Sequence, residues 1–555
     1  MLTGGRQPHA ARLPARAPLV RTLLVRALLA FGLVAFAATG CVRADSEDDR
    51  PVPAVPGGAY SVALTEPDHL TPGRTTSSYA LQVLQGVFDT PLALDPRDGH
   101  PVPLAATSLT TTDQRVWTLK FRAGALFHNG EPVTAAAFAA AWDAAAYGPS
   151  GWDANSYFTQ IAGYDQLNPP EGQLPTTRHL SGLDVLDDTT LRVTLKAPFS
   201  QFPMLLSFPA FAPLPQAAFT DPDGYDLHPV GNGPFQLDGA WRHNQRIDLK
   251  RAASYTGPRP PMADAVHFRI FTSKDTAFTE LQAGHVDFVT SVPAARAYEA
   301  KRTFGRHYAV RPSGTMDYLG LPIWDPRYAK PELRRAISMA IDRPGITRAI
   351  YNEVFTPADS LVGATIPGHR AGACGETCEY RPAEAKRLFQ QAGGFTGTLA
   401  LYFANSDPSY LQWMTAVANE LRQNLGIRDI VLRTMAAADL GPILNHHQAT
   451  GPYRQNWVAD YPSEQDYLAG LLGPGTRSGW SDPAFNALLA QGDAAPTPEQ
   501  STASYHQAED LALRELPLIP LWNWQDQTAW SGRVGNVQLD PYAAGLHLEE
   551  ITVRH

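Results

Sequence analysis

Trp117-Thr-Leu-Lys-Phe-Arg-Ala-Gly124, with Phe127-His-Asn-Gly130-Glu-Pro-Val-Thr134-Ala just beyond it, is the stretch on which the fold reading turns. Trp117, Leu119 and Phe121 alternate with Thr118, Lys120 and Arg122, the period-two pattern of a strand with one face on a core. Gly124 and the His128-Asn-Gly130 turn end that strand. Thr134 is then placed to N-cap an alanine-rich helix running through Ala146.

The same alternation returns at Leu191-Arg-Val193-Thr-Leu195-Lys196 and at Val266-His-Phe268-Arg-Ile270. Helices lie between. Tyr410, Leu411, Met414, Val417, Ala418, Leu421 and Leu425 recur at three- and four-residue steps, and Gly426 supplies the stop. Pro382 opens a second helix that Gly393 closes, and Leu333, Ile337, Ala340 and Ile341 mark a third, ended by Asp342-Arg343-Pro344. Strands and helices in irregular order predict an α/β or α+β protein. At 555 residues the chain exceeds what one core organises, so two or more domains or lobes are expected.

The N-terminus reads as a targeting segment. Arg6, Arg12, Arg16, Arg21 and Arg26 precede a run from Ala27 to Ala38 that is too short to span a membrane and fits a signal-peptide apolar region. Ala38-Thr-Gly-Cys41 resembles the lipobox of bacterial lipoproteins, with Ala38 where Leu is usual; Cys41 would then be acylated. An ordinary signal peptide with an incidental Cys41 is the other reading. Removing residues 1–40 takes the formal charge from −9 to −14, because five arginines leave. So acidic a chain has no net positive field to recruit phosphates, and nucleic acid is not expected as a partner. Residues 41–58, acidic and then rich in Pro and Gly, read as a flexible tether.

Cys374 and Cys378 remain as a close pair in a Gly-containing loop. Outside the cytoplasm they are expected to form a disulfide; a metal site, the alternative, would need further ligands, and His369 is the histidine nearby. No Gly-x-Ser-x-Gly, Ser-x-x-Lys or His-Glu-x-x-His motif occurs, and no phosphate loop, so nothing positive points to an enzyme. No cofactor or metal is expected. His446 and His447 are adjacent and read as solvent-exposed rather than metal-binding.

A series of segments resembles the family 5 solute-binding proteins of ABC importers, the oligopeptide- and dipeptide-binding group. The opening stretch is the most specific of them. Val83-Leu-Gln-Gly86-Val-Phe-Asp89, Leu94-Asp-Pro96 and Pro101-Val-Pro-Leu-Ala105 precede it. After it come Val230-Gly-Asn-Gly-Pro234, Leu281-Gln-Ala-Gly284-His-Val-Asp287, Leu333-Arg-Arg-Ala336 through Asp342-Arg343, and Pro382-Ala-Glu-Ala385-Lys-Arg-Leu388. Leu425-Gly-Ile427, Asn456-Trp-Val-Ala-Asp460-Tyr-Pro462 and Leu518-Ile-Pro-Leu-Trp522 complete the order.

The resemblance implies an α/β, periplasmic-binding-protein-like two-lobed fold with an additional domain inserted in the first lobe. Lobe I would hold 59–86, 200–310 and 526–555, the inserted domain 87–199, and lobe II 311–525. A short peptide or peptide-like ligand would lie between the lobes, its α-ammonium on Asp460, and be passed to ABC permease subunits. Asp460 can also be read as capping the turn before Pro462. Trp457, Tyr461, Trp522 and Trp524 are candidates for lining side-chain pockets, with Tyr318 and Trp480 behind them. Trp522 and Trp524 alternate, so on a strand both indoles face one way. The implied protein is a monomer, lipid-anchored through Cys41 on the extracytoplasmic face of a bacterial membrane. Relatives of this group also take nickel chelates, haem, sugars or opines, and a ligand-sensing lipoprotein or a lipoprotein hydrolase would reuse the same fold.

Overall fold

Trp117, Leu119 and Phe121 do point inward, in the strand Val116–Phe121 at the heart of a four-stranded antiparallel sheet. Its order is Ala106–Thr111, Val116–Phe121, Thr190–Thr194, Leu183–Asp187. The helix Ala135–Ala146 covers that sheet, capped by Thr134, whose side chain accepts from the Ala137 N–H. Phe121 and Phe138 stack with ring centres 4.0 Å apart, which locks helix to strand. The computed structural model describes residues 56–170, 172–542 and 545–554. The basic leader, the apolar run, Cys41 and most of the tether lie outside the described residues. Among the described residues no helix is long and apolar enough to cross a membrane.

Three of the sequence signatures meet at one point. The His128 ring lies between the Gly231 N–H, 3.2 Å from its Nδ1, and the Gly233 carbonyl, 3.0 Å from its Nε2. Asn232 exchanges hydrogen bonds with the backbone of Asp89, accepting from its N–H and donating to its carbonyl. A Cβ on Gly231 would stand 1.9 Å from the Val87 carbonyl oxygen, so only glycine lets the turn close on the helix Ser78–Val87.

A single eleven-stranded sheet, counted among the described residues, runs through both lobes. The first-lobe side is built on Ala59–Leu64, parallel to Ala265–Ile270, with Arg246–Arg251 and Phe235–Leu237 outside it. The second-lobe side holds Tyr453–Val458, Leu399–Ala404 and Ile430–Met435. Two thirteen-residue antiparallel strands, Tyr308–Gly320 and Leu518–Trp530, connect the sides. Their ladder breaks in the middle: Pro312 pairs with Gln525 and Met316 with Asn523, so Ser313, Gly314 and Thr315 oppose Trp524 alone. That bulge is a local weak point between two well-paired halves.

The cores follow the same division. One apolar cluster joins Val62, Val83, Trp142, Leu191, Phe211 and Phe268, so the four-stranded sheet shares a core with the first lobe. Two others, around Trp413 and Ile337 and around Tyr467 and Phe485, fill the second lobe. In the helix Pro408–Leu425 the buried stripe takes Trp413, while Leu411 is 51% exposed. Leu411 sits one residue off the stripe that Tyr410, Met414, Val417 and Leu421 define, a turn of about 100°. Asp342 does not merely end a helix. Its side chain accepts from the Gly345 N–H at 2.9 Å and starts the next helix, Arg343–Tyr351. The sulfurs of Cys374 and Cys378 stand at bonding distance, S–S 1.94 Å, with Cα atoms 5.6 Å apart.

Candidate functional site

The strand Tyr453–Val458 delivers the chain to the cleft between the lobes, and the last paired contact is the Ala459 N–H donating to the Gly314 carbonyl at 2.8 Å. Asp460 follows at once. Ser463 then caps the helix Glu464–Leu472, which returns Asp466 beneath the turn. The Asp466 carboxylate accepts from the Trp457 Nε1 at 2.9 Å and from the Asp460 N–H at 3.2 Å. It is 4% exposed. Asp460 opens into the cleft, and its Oδ1 accepts from the Tyr157 hydroxyl at 2.5 Å.

Two carboxylates thus sit side by side without a cation paired to either among the described residues. Loss of water raises the pKa of both, and the charge on Asp460 lifts Asp466 further, well above the usual carboxylate range. The Tyr157 hydroxyl works the other way on Asp460, favouring its charged form. A ligand cation beside Asp460 would favour its charged form and offset the cost of holding it next to Asp466.

Two chambers meet at this wall. The larger, about 360 Å³, has one face of the connecting strands as its floor: Arg311, Ser313 and Thr315 from one, Trp524, Asp526 and Thr528 from the other. Tyr79 and Gln82 of the helix Ser78–Val87 line its first-lobe side. The second, about 240 Å³, reaches Asp460; Leu81, Leu84, Phe88, Leu94, Leu104 and Phe208 give it a mainly apolar wall, and Arg259, Asp540, His547 and Glu549 add charged groups. Both chambers touch Ser78, Val458, Ala459, Asp540 and Tyr542, so they lie side by side and share a wall. A further cavity of about 630 Å³ opens past Pro462, between Met204 and Glu464. The lobes also touch directly. Ser463 donates to Gln201 at 2.8 Å, and the Ser200 N–H donates to the Asp493 carbonyl at 2.7 Å.

The aromatic candidates scatter. Trp457 braces Asp466 instead of lining a chamber, and Tyr461 is 8% exposed, at the edge of the larger chamber, its hydroxyl bonded to Gln465 at 2.5 Å. Trp522 and Trp524 both donate to Asp317 at 2.8 Å, so their indoles do face one way. Only Trp524 reaches the cleft. Trp522 is wholly buried against Trp413 and Tyr351, a core residue rather than a contact, because a helix packs over its half of the strand. Tyr318 is buried with Met316 and Leu468, and Trp480 packs edge-on against Phe485. Asp466, Tyr157, Arg311 and Asp526 escaped the sequence reading. An acid within the buried run Glu464-Gln-Asp-Tyr-Leu468 was the one signal available for Asp466. Among the described residues no cluster of three or more His, Cys, Asp or Glu is arranged to hold a metal ion.

One sheet threaded through two lobes, with a chambered cleft across its break, defines a two-lobed solute-binding protein. The model of the bacterial extracellular solute-binding proteins, family 5 Middle, matches residues 100–479, and the chain belongs to that family. It is 27% identical over 474 residues to the periplasmic oligopeptide-binding protein OppA of Escherichia coli strain K12, covering 82% of this chain and 84% of that one. To the glutathione-binding protein GsiB of the same strain it is 25% identical over 432 residues, 75% and 79% of the two chains. The fold is similar to that of the Escherichia coli murein tripeptide binding protein MppA, with a TM-score of 0.72 at 22% identity, over 90% of this chain and 99% of that one.

Proposed function

We propose that the protein is the capturing component of an ABC-type importer and takes a short peptide or peptide-like solute whose ammonium group is received by Asp460. The observation that carries this is the Asp460–Asp466 pair, two crowded carboxylates at a cleft wall with no cation beside them. Leaving such charges uncompensated is costly, and a bound ammonium supplies the missing partner with hydrogen bonds as well as charge. The mainly apolar wall beside Asp460 accepts a hydrophobic side chain next to that ammonium, and the ladder break at Ser313, Gly314 and Thr315, which faces the larger chamber, offers backbone partners. The printed names of the relatives, oligopeptide, glutathione and murein tripeptide, support a peptide-like ligand here.

Lobe limits at 59–86, 200–310 and 526–555 for the first, 87–199 for its insertion and 311–525 for the second fit a hinge at the ladder break. Closure about that hinge would shut the ligand from water. In the same reading residues 1–40 are a signal peptide and Cys41 anchors the protein to lipid on the extracytoplasmic face. Cys41→Ser should then release the protein from the membrane fraction; retention there would contradict the anchor. Native mass spectrometry of the mature protein, purified without denaturation, tests the ligand class. Co-purified short peptides are the expected result, and a single metal complex or sugar would overturn the reading.

A further inference from the structure

One carboxylate suffices to receive an ammonium, yet this wall holds two. Asp466 lies in the first turn of the helix Glu464–Leu472, 4% exposed and behind Asp460 as seen from the cleft. The Trp457 Nε1–H and the Asp460 N–H both donate to its Oδ2, and among the described residues no hydrogen bond falls on its Oδ1. That oxygen is free to carry a proton. The groups packed around the pair supply no cation in its place. Tyr157, from the short helix Asn155–Phe158, donates to Asp460. Tyr461, kept protonated by burial and by the charges of Asp466, Asp493 and Asp460, donates to Gln465, and the Tyr467 hydroxyl donates to the Gly314 carbonyl. Glu464, on the same turn as Asp466, faces His506 at 2.9 Å. The cations lining the same chamber as Asp460 are committed elsewhere: Arg259 to Asp89 and Glu549, His547 to Asp540 and Glu549. Arg311, Lys274 and Asp526 line the other chamber, which Asp460 does not reach.

We propose that the empty Asp460–Asp466 pair holds one proton and gives it up when the ligand's ammonium arrives, so that capture exchanges a proton for a cation. The inference rests on the ammonium reading above. Neighbouring carboxylates shut from water do not ionise independently: the first charge suppresses the second, and the proton belongs to the pair. The directions agree, since burial raises the pKa of both and the Asp460 charge raises Asp466 further. An ammonium on Asp460 reverses that suppression. The pair goes from one negative charge to two, the proton leaves Asp466 for solvent, and the ligand keeps its own positive charge. A ligand that binds the deprotonated pair more tightly must release protons, and the logarithm of its affinity then rises with pH by the number released. Asp466 is thus a positioning residue that acts through Asp460: it sets the pH at which the seat is fully charged.

Calorimetry of free tripeptides binding to the mature protein, run at pH 6.5 in buffers of different ionisation enthalpy, counts the protons released. At that pH the peptide's own α-ammonium, with an ordinary pKa of about 7.7–8.0, is almost fully charged and contributes little. The wild type is expected to release roughly half a proton or more per peptide, and its affinity to climb about threefold to tenfold per pH unit between pH 5.5 and pH 7. Asp466→Asn, which keeps an oxygen for the Trp457 indole, should bind the same peptides and release less than about a fifth of a proton. Tight binding by the wild type with no proton released, or with affinity flat over that range, would overturn the exchange and leave the ammonium seat standing. Undiminished release by Asp466→Asn would also overturn it, because the proton would then come from another group. If that variant does not fold, the wild-type proton count and slope still decide. Equal affinity of the wild type for N-acetylated tripeptides would overturn the ammonium reading and this one with it.

Discussion

Asp460 carries a charge that the described protein leaves without a cation, so replacing it should separate binding from folding. Asp460→Asn keeps an oxygen for the Tyr157 hydroxyl and removes only the charge. Affinity for a free tripeptide should fall by more than about thirtyfold, on the order of 2 kcal/mol or more. The ligand-free melting temperature should hold or rise, because a charge that loss of water disfavours is removed from beside Asp466. Calorimetry and a thermal melt read the two effects separately; a fall in both would make Asp460 a structural turn residue. The sequence offered Asp460 through its Trp457-Val-Ala-Asp-Tyr461 setting. Tyr157 had no such signal: it lies 303 residues away, and only the folded cleft brings the two together.

Among the elements, the connecting strands and the short helix carrying Tyr157 govern how the lobes meet. Tyr157→Phe keeps the ring stacked on Phe208, at 4.3 Å between centres, and deletes the bond to Asp460. A hydrogen bond to a charged group contributes about 1.5–3 kcal/mol, enough to move an open–closed balance tenfold or more. Small-angle scattering should therefore show a larger ligand-free radius of gyration for the variant and an unchanged one with ligand bound. Identical ligand-free curves would mean that this bond does not hold the lobes. Half-buried strands such as Val116–Phe121 were legible because alternation records one wet and one dry face. Tyr308–Gly320 was not, since Pro312 and Gly314 interrupt its pattern where the ladder breaks. For Trp522 and Trp524 alternation gave the shared direction but not the depth, which depends on what packs above each half of the strand.

For the whole molecule, buried acids set an unusual pH dependence. Burial pushes Glu464 up to about 8, Glu420 to about 7, and Asp493 and Asp526 to about 6. A carboxyl whose pKa is higher in the folded than in the unfolded chain stabilises the fold below its ordinary pKa, and that stability is lost as pH rises through the folded value. His547 acts in the same sense. Although burial opposes its charge, bonds to Asp540 and Glu549 raise it to about 10. His128 acts oppositely: burial lowers its pKa, so it costs stability as pH falls below about 6.5. The ligand-free melting temperature should therefore rise from pH 8 towards pH 6, where most of the raised carboxyls have regained protons. A melting temperature that climbs steadily up to pH 8 would contradict this balance.

The most direct test of peptide capture compares free tripeptides with the same tripeptides acetylated at the N-terminus, titrated into the mature protein by calorimetry. Acetylation removes the ammonium and leaves the side chains and the C-terminus untouched. Affinity should drop by more than about thirtyfold, to the level that Asp460→Asn shows for the free peptides. Equal affinity for the free and acetylated peptides would contradict the assignment of the Asp460–Asp466 wall as the ammonium seat.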